Sequence, residues 1–201
     1  MPRVARSELL YDGCYAHIIS RSIRKMRLFK DDEDFYELYR LFMMTKKQAG
    51  YQVHHYCFMQ THFHLAARIP DVAEFSKAMG FLKSQYSFKF HAKYRLSGPI
   101  WRERYKGLLI EDENYLRACG AYIEHNPVKA GLVGKAEEWK FSSSQHYRGK
   151  NTDPLIDEYE EYGKINKPVE IEFEEEEFFE NARAIGSPFF RFQIYEKLKR
   201  G

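Results

Sequence analysis

The sequence predicts an α+β domain with a ferredoxin-like or RRM-like antiparallel sheet, the element order βαββαβ, and its helices on one face. Three observations indicate this fold. Short stretches rich in β-branched and aromatic residues have the composition of strands. Two longer stretches repeat apolar residues every three or four positions, as amphipathic helices do. Glycine and proline mark the boundaries between these stretches.

The first helix shows how the boundaries are placed. Asp31 to Asp34 supply the acidic side chains that favour a helix N-terminus, and Gly50 is a typical residue just past a helix end. The other elements rest on the same reasoning. The predicted order is a strand at 14–20, a basic loop at 21–27, a helix at 31–49, strands at 51–59 and 62–69, a helix at 71–94, and a strand at 100–111.

A third helix is predicted from Asp112 to about Glu124, followed by a short helix that ends at Ala130. The composition changes after Gly149. We therefore expect a main domain at 1–149 and, at 150–201, an acidic linker or solvated helix with a C-terminal helical extension. Within that extension, residues 178–199 are predicted to be helical, with a possible hairpin at 185–188.

The charge is distributed unevenly along the chain. Residues 1–150 hold 25 Lys and Arg against 16 Asp and Glu, whereas residues 151–201 hold 7 against 13. A basic body favours a polyanionic partner through phosphate neutralisation and counterion release.

Three cysteines, Cys14, Cys57 and Cys119, are widely spaced and form no CxxC pair, which argues against zinc-ribbon and thioredoxin-like sites. Cys14 and Cys57 fall in predicted strands and are expected to be buried. No signal peptide or membrane-spanning run is visible, so we expect a cytoplasmic protein with no membrane partner.

The strongest chemical signal is His62-Phe63-His64. Residues i and i+2 of a strand point to the same face, so the two imidazoles can lie side by side and hold one divalent metal. His54 and His55 are adjacent on a strand, are expected to point to opposite faces, and are not assigned to the metal. As a bare pattern, HxH is weak.

A metal centre also needs a third ligand and a nucleophile. Tyr122 lies near the end of the third helix and Asn126 follows four residues later. Asn126 can be a ligand through its amide oxygen, or it can be the N-cap of a helix that starts at Pro127. Glu124 and His125 are rival ligands. Taken alone, Tyr122 is one more core aromatic.

Several stretches together resemble the single-tyrosine HUH transposases, the IS200-like family, and look most similar to the REP-associated tyrosine transposases. The resemblance covers about residues 8–148. It is carried by residues 56–65, which resemble the metal-binding signature, 122–133, which resemble the catalytic-helix signature, and 15–21, 99–105 and 139–144.

The resemblance implies that His62 and His64 bind Mg or Mn, which polarises the scissile phosphate, and that Asn126 completes the metal site. Tyr122 would attack the phosphorus of single-stranded or hairpin DNA, leaving a 5′-phosphotyrosine and a free 3′-hydroxyl. The reverse step would rejoin the strand, in DNA transposition or REP-element processing. The family contains monomers and homodimers that exchange the catalytic helix, so either state is possible.

This chain departs from the family pattern at three positions. Thr61 replaces an asparagine, and Glu124 and His125 stand where other residues are usual. The Thr61 hydroxyl can still orient a neighbouring ligand. Glu124 adds negative charge near the expected metal.

Basic residues in three places are candidate DNA contacts that would position phosphates. Trp101 and Tyr105 can stack on splayed bases, although core packing is the more common role of large aromatics. The candidate contacts are Arg21, Arg24, Lys25 and Arg27 in the basic loop, Lys89 and Lys93 on the second helix, and Arg102, Arg104 and Lys106 along one face of the fourth strand.

Two other function classes remain open. One is a non-catalytic RRM-like module that binds nucleic acid, which does not require His62, His64 and Tyr122. The other is a metal-dependent phosphodiesterase that uses water as its nucleophile, in which Tyr122 is dispensable.

Overall fold

A computed structural model describes residues 9–159 and 184–200. Its five-stranded sheet has the order β2-β3-β1-β4-β5. The first four strands are antiparallel neighbours, and the short β5 pairs with β4 in parallel. The predicted βαββαβ order is confirmed. The elements are β1 Cys14–Arg21, α1 Asp32–Ala49, β2 Gln52–Met59, β3 His62–Ile69, α2 Val72–Tyr94, β4 Lys106–Ile110, α3 Glu113–Lys129, α4 Ser144–Tyr147, β5 Ala184–Ile185 and α5 Pro188–Arg200.

Helix α1 begins and ends where its sequence predicts. The Asp34 backbone N–H donates to the Asp31 carboxylate at 3.1 Å, and the Asp34 carboxylate accepts from the Asp31 backbone N–H. This reciprocal capping satisfies N–H groups that the first turn leaves unpaired. At the other end, Gly50 adopts a left-handed conformation with φ 68°. Its N–H donates to the carbonyl of Lys46, which closes the last turn.

The sheet separates two apolar layers. On one face, α1 and α2 pack against strand residues such as Ile18 and Phe63. On the other face, α3 packs against Ile19 and Ala66. The expectation of helices on one face holds for α1 and α2, whereas α3 covers the opposite face. The strands are buried on both faces, because consecutive residues alternate in direction and nearly all are buried.

Strand β4 is shorter than the predicted 100–111. It begins only at Lys106, and Trp101 contributes an isolated bridge to Ser22. Lys83 of α2 accounts for the difference, because its ammonium donates to the carbonyls of Glu103 and Arg104. Those carbonyls are therefore held by a side chain and not by a strand ladder. The prediction that Arg102, Arg104 and Lys106 alternate along one strand face is wrong for the first two residues, which lie outside the strand.

Helix α3 is continuous through Pro127, so the predicted break at Asn126-Pro127 is wrong. Proline has no N–H to donate to the carbonyl of Ile123, four residues earlier. The Asn126 side-chain nitrogen compensates by donating to the carbonyls of Tyr122 and Ile123 at 2.9 and 3.2 Å. The alternative role of Asn126 as an N-cap is also excluded, because it lies inside the helix.

Residues after Gly149 add to the same sheet and core. The Asp157 N–H donates to the carbonyl of Val53 at 2.7 Å, and Leu155 is fully buried. The linker prediction for 160–180 lies outside the described residues, and so does the start of the predicted helix at 178–199. Of the described residues in that predicted helix, 184–185 form strand β5, and the helix α5 begins only at Pro188. The boundary between 1–149 and 150–201 stays a prediction.

The three cysteines are buried free thiols, which confirms the predicted burial of Cys14 and Cys57. Within the described ranges, every helix is too short or too polar to cross a membrane.

Candidate active site

Three histidines form a row on the face of the sheet that α3 covers. In the β1–β3 register, Ile19 lies opposite His64 and Arg21 lies opposite His62. His17 follows on the same face of β1, two residues before Ile19. The ring centroids of His62 and His64 are 4.9 Å apart, and those of His17 and His64 are 5.1 Å apart. The prediction that His62 and His64 share a face is confirmed.

Each of the two predicted histidine ligands, His62 and His64, has a neighbour within hydrogen-bond distance of its Nδ1. His64 Nδ1 lies 2.9 Å from His17 Nε2, and His62 Nδ1 lies 3.0 Å from the Thr61 hydroxyl. His64 Nε2 is buried and has no hydrogen-bond partner within the described ranges. A ring that donates through Nδ1 keeps a lone pair on Nε2, and such a neighbour fixes its orientation. The Thr61 hydroxyl therefore contacts His62, the neighbouring ligand that the sequence predicts it can orient.

Burial keeps these histidines neutral. It lowers the pKa of His17 to about 3 and that of His62 to about 4, and it holds the pKa of His64 well below its ordinary value. Nearby positive charges lower these pKa values further. Arg21 acts on all three rings, and Lys106 and Lys129 act on His17 and His64 respectively. Neutral imidazole is the form that binds metals.

Tyr122 lies above this row. Its side chain is 3% exposed, and its ring meets those of His17 and His64 edge-on at centroid distances of 6.2 and 6.3 Å. The Lys129 ammonium lies 4.4 Å from the centroid of the Tyr122 ring. Helix α3 therefore brings Tyr122 to the histidine side of the sheet.

The three candidate third ligands differ in their hydrogen bonds and in their burial. The Glu124 carboxylate accepts from His55 Nδ1 at 2.9 Å and from the Ser143 hydroxyl at 2.7 Å, so it is held over β2. Asn126 donates through its nitrogen to its own helix, which leaves Oδ1 as the ligand atom. His125 is half-buried. In 9–159 and 184–200, no three His, Cys, Asp or Glu side chains come together as a metal-binding group.

The prediction that His54 and His55 point to opposite faces is wrong. A β-bulge between Val53 and His55 inserts His54 as an extra residue. Both rings then pack against the ring of Tyr159, at centroid distances of 5.1 and 5.9 Å. A bulge breaks the strict alternation of side chains on which the prediction relied.

The basic loop and the segment before β4 lie at the end of the sheet that carries His62. The Ser22 N–H donates to the carbonyl of Thr61 at 2.8 Å, and the Arg102 N–H donates to the carbonyl of Arg21 at 2.9 Å. Four further cations near this end are exposed or half-exposed. They are Arg24, Lys25, Arg27 and Arg104.

The two lysines of α2 that are candidate DNA contacts, Lys89 and Lys93, lie in the helix layer on the opposite face. Lys93 forms ion pairs with three acids of the α1 N-terminus. Lys89 is exposed on the same helix. Neither is brought to the histidine row. Trp101 packs on Phe63 and donates its Nε1–H to the carbonyl of Lys83, which supports the core role for this ring.

His17 and Lys129 were not among the predicted site residues. The period-two pattern of β1 places His17 on the same face as Arg21, and this was the available signal. Lys129 follows Tyr122 by seven residues, or two helical turns. That spacing is informative only if the helix continues through Pro127.

The family model for IS200-like transposases matches residues 10–126. The match includes His62 and His64 and extends past Tyr122 to Asn126. The chain belongs to the IS200-like transposase family.

Individual members of this family and a solved structure are also similar. A REP-associated tyrosine transposase of Haemophilus influenzae is 33% identical over 98 residues, which cover 43% of this chain and 55% of that protein. The chain thus spans about half the length of this curated relative. A solved REP-associated tyrosine transposase, bound to a REP hairpin, matches with a TM-score of 0.59 and 20% identity, covering 75% of this chain and 88% of that one. This likeness shows the shared fold.

Proposed function

We propose that this member of the IS200-like family cleaves and rejoins hairpin-forming single-stranded DNA through the hydroxyl of Tyr122. One observation carries the proposal: the Tyr122 ring lies over His17 and His64, with centroids 6.2 and 6.3 Å away. A module that only binds nucleic acid does not need a tyrosine above neutral, unsatisfied imidazoles. The relative solved with a REP hairpin supports DNA hairpins as the substrate class.

His62 and His64 fit a divalent metal. Among the described residues His64 has a buried Nε2 without a partner, and both rings are held through Nδ1. The two histidines, with Oδ1 of Asn126, would hold Mg or Mn. A bound metal of this kind polarises a phosphoryl oxygen and stabilises the charge that develops in the transition state.

Tyr122 supplies the nucleophile in this mechanism. Its oxygen forms a bond to phosphorus, the bond from phosphorus to the 3′-oxygen breaks, and that oxygen leaves as a 3′-hydroxyl. The phenolic proton is lost as the bond forms, and the leaving oxygen gains one. The 5′-phosphotyrosine link conserves the energy of the phosphodiester, so attack by another 3′-hydroxyl rejoins the strand.

Basic side chains around the histidine row would hold the DNA backbone. Arg21 and Lys106 lie on the same sheet face as the histidines, and Lys129 lies on α3 beside Tyr122. Such contacts position phosphates without reading sequence. Arg24, Lys25, Arg27, Arg102 and Arg104 extend the positive surface at this end of the sheet. In this proposal residues 1–149 form the catalytic domain.

The test is covalent adduct formation. The protein is incubated with Mn and single-stranded hairpin oligonucleotides, and adducts are separated on denaturing gels. We expect a metal-dependent adduct that is absent in Tyr122→Phe, which removes only the hydroxyl. The matched control is Tyr115→Phe, which removes the hydroxyl of a second tyrosine on α3 that is half-buried, and it should leave the adduct unchanged.

Two outcomes would contradict the proposal. Cleavage that survives in Tyr122→Phe would indicate water as the nucleophile. Hairpin binding without cleavage, with Mn present, would favour a binding module.

A further inference from the structure

His55 also lies under α3, apart from the row of His17, His62 and His64, and takes no part in the proposed chemistry. His55 is 1% exposed, and its Nδ1 donates to Glu124 at 2.9 Å, since an ionised carboxylate can only accept. On the other side of the ring, Nε2 lies 3.2 Å from the Tyr159 hydroxyl. The ring also packs on Tyr147 at a centroid distance of 4.6 Å. All its polar atoms therefore have partners.

Glu124 joins α3 to two other segments at this point. The Ser143 hydroxyl donates to the same carboxylate oxygen at 2.7 Å. The backbone N–H of Tyr56 in turn donates to the Ser143 hydroxyl at 3.1 Å. The carboxylate thus connects the helix to β2 directly through His55 and indirectly through Ser143.

Gly120 makes this contact possible. A Cβ at position 120 would lie 2.4 Å from three atoms of the His55 ring. The helix reaches the ring only because residue 120 has no side chain. One turn further along α3, Glu124 receives the hydrogen bond of the same ring. Close approach and hydrogen bonding therefore act on the same histidine.

The position of this contact in the helix links it to the proposed nucleophile. Tyr122 lies between Gly120 and Glu124 in sequence, and its ring reaches His17 and His64 on the neighbouring strands. Rotating or sliding α3 would move Tyr122 and break the contact of Glu124 with His55.

We propose that His55 and Glu124 are a positioning pair that holds α3 in place, with Gly120 as the notch that admits the His55 ring, and thereby positions Tyr122 over His17 and His64. The proposal rests on the proposed role of Tyr122. Misplacement of a reacting group by about 1 Å costs about 100-fold in rate.

The experiment places 3-fluorotyrosine at position 122 by codon suppression in the full chain and records its fluorine NMR signal. Adduct formation and hairpin affinity are measured on the same variants. Glu124→Ala removes the pair, and Glu124→Gln keeps an oxygen that can accept both hydrogen bonds. Glu113→Ala is the matched control, because Glu113 is also on α3 and accepts a hydrogen bond from Tyr15 at 3.0 Å.

We expect Glu124→Ala to shift or broaden the fluorine signal and to slow adduct formation by about 10- to 100-fold, with hairpin affinity within about threefold. Glu124→Gln should restore most of both properties, and Glu113→Ala should change neither. If Glu124→Ala does not fold, Ser143→Ala removes one of the two hydrogen bonds and should give a smaller change in the same direction.

A wild-type fluorine signal and rate in folded Glu124→Ala, or equal changes in Glu113→Ala, would overturn the proposal. Parallel loss of rate and hairpin affinity would also do so, because it would indicate a general structural role. If the unaltered protein forms no adduct, the proposed function fails, and the fluorine signal still decides whether the pair positions residue 122.

Discussion

Helix α3 covers two clusters that differ in whether their buried polar atoms have hydrogen-bond partners: His55 with Glu124 and Ser143 over β2, and His17, His62 and His64 over β1 and β3. Over β2, both ring nitrogens of His55 have partners. Over β1 and β3, His17 Nδ1 and His64 Nε2 have none within the described ranges. Buried polar atoms are normally paired, so an unpaired one needs a reason. The comparison separates a cluster suited to holding a helix from one suited to binding a ligand.

The largest effect is expected from the unsatisfied cluster. His64→Ala removes a proposed metal ligand, so adduct formation should fall by about 100-fold or more, while hairpin affinity changes by less than about threefold. Rates come from adduct gels and affinities from fluorescence anisotropy. Equal losses of rate and affinity would count against a catalytic metal.

Substitutions that disturb the satisfied cluster should lower the free energy of unfolding. In Gly120→Ala the new Cβ would lie 2.4 Å from the buried His55 ring, and overpacking of this kind costs about 2 kcal/mol in unfolding free energy. Gly80→Ala is the matched control. Gly80 is also helical, a Cβ there meets nothing within 4 Å in the part of the chain that the structure describes, and alanine should stabilise the protein by up to about 1 kcal/mol. Urea denaturation measures both; the same sign for the two variants would refute the notch at Gly120.

His17 and Thr61, which contact the proposed ligands His64 and His62, should affect the affinity for metal. His17→Ala removes the group that holds His64 Nδ1, and loss of such a contact typically weakens metal binding by about 10-fold or more. Thr61→Val removes the corresponding contact to His62, which is less buried, and should have a smaller effect. Mn titration followed by electron paramagnetic resonance gives both affinities. An unchanged Mn affinity in His17→Ala would show that His17 does not orient His64.

The smallest effect is expected from single phosphate contacts. Arg21→Gln should weaken hairpin binding severalfold and reduce the salt dependence of log K by about one ion, whatever the hairpin sequence. Lys89→Gln removes a cation from the opposite layer, and we expect no change. A reduced slope for Lys89→Gln would instead support the sequence-based prediction that this lysine contacts DNA.

Most of the fold could be predicted because its signals are local. The acids at 31–34 and Gly50 mark both ends of α1, and alternation places His62 and His64 on one face. The errors came from side chains that are distant in sequence or from backbone irregularities. Lys83 holds the carbonyls before β4, Asn126 compensates for Pro127, and the bulge beside His55 shifts His54.

The site was predicted less completely than the fold. His62, His64 and Tyr122 were identified with the help of the family resemblance, and the structure brings them together. His17 was not assigned, because a single histidine in a strand is uninformative until the β1–β3 register is known. Glu124 was a candidate metal ligand, and only the packing of α3 on β2 shows that His55 and Ser143 hold its carboxylate.

Mass spectrometry of the trapped adduct tests the central claim most directly. The protein is incubated with Mn and a hairpin oligonucleotide, digested with trypsin and nuclease, and the modified peptide is sequenced. The account predicts a nucleotide linked through its 5′-phosphate to Tyr122. A 5′-phosphate link to another tyrosine, or cleavage products that leave no covalent adduct on the protein, would contradict it.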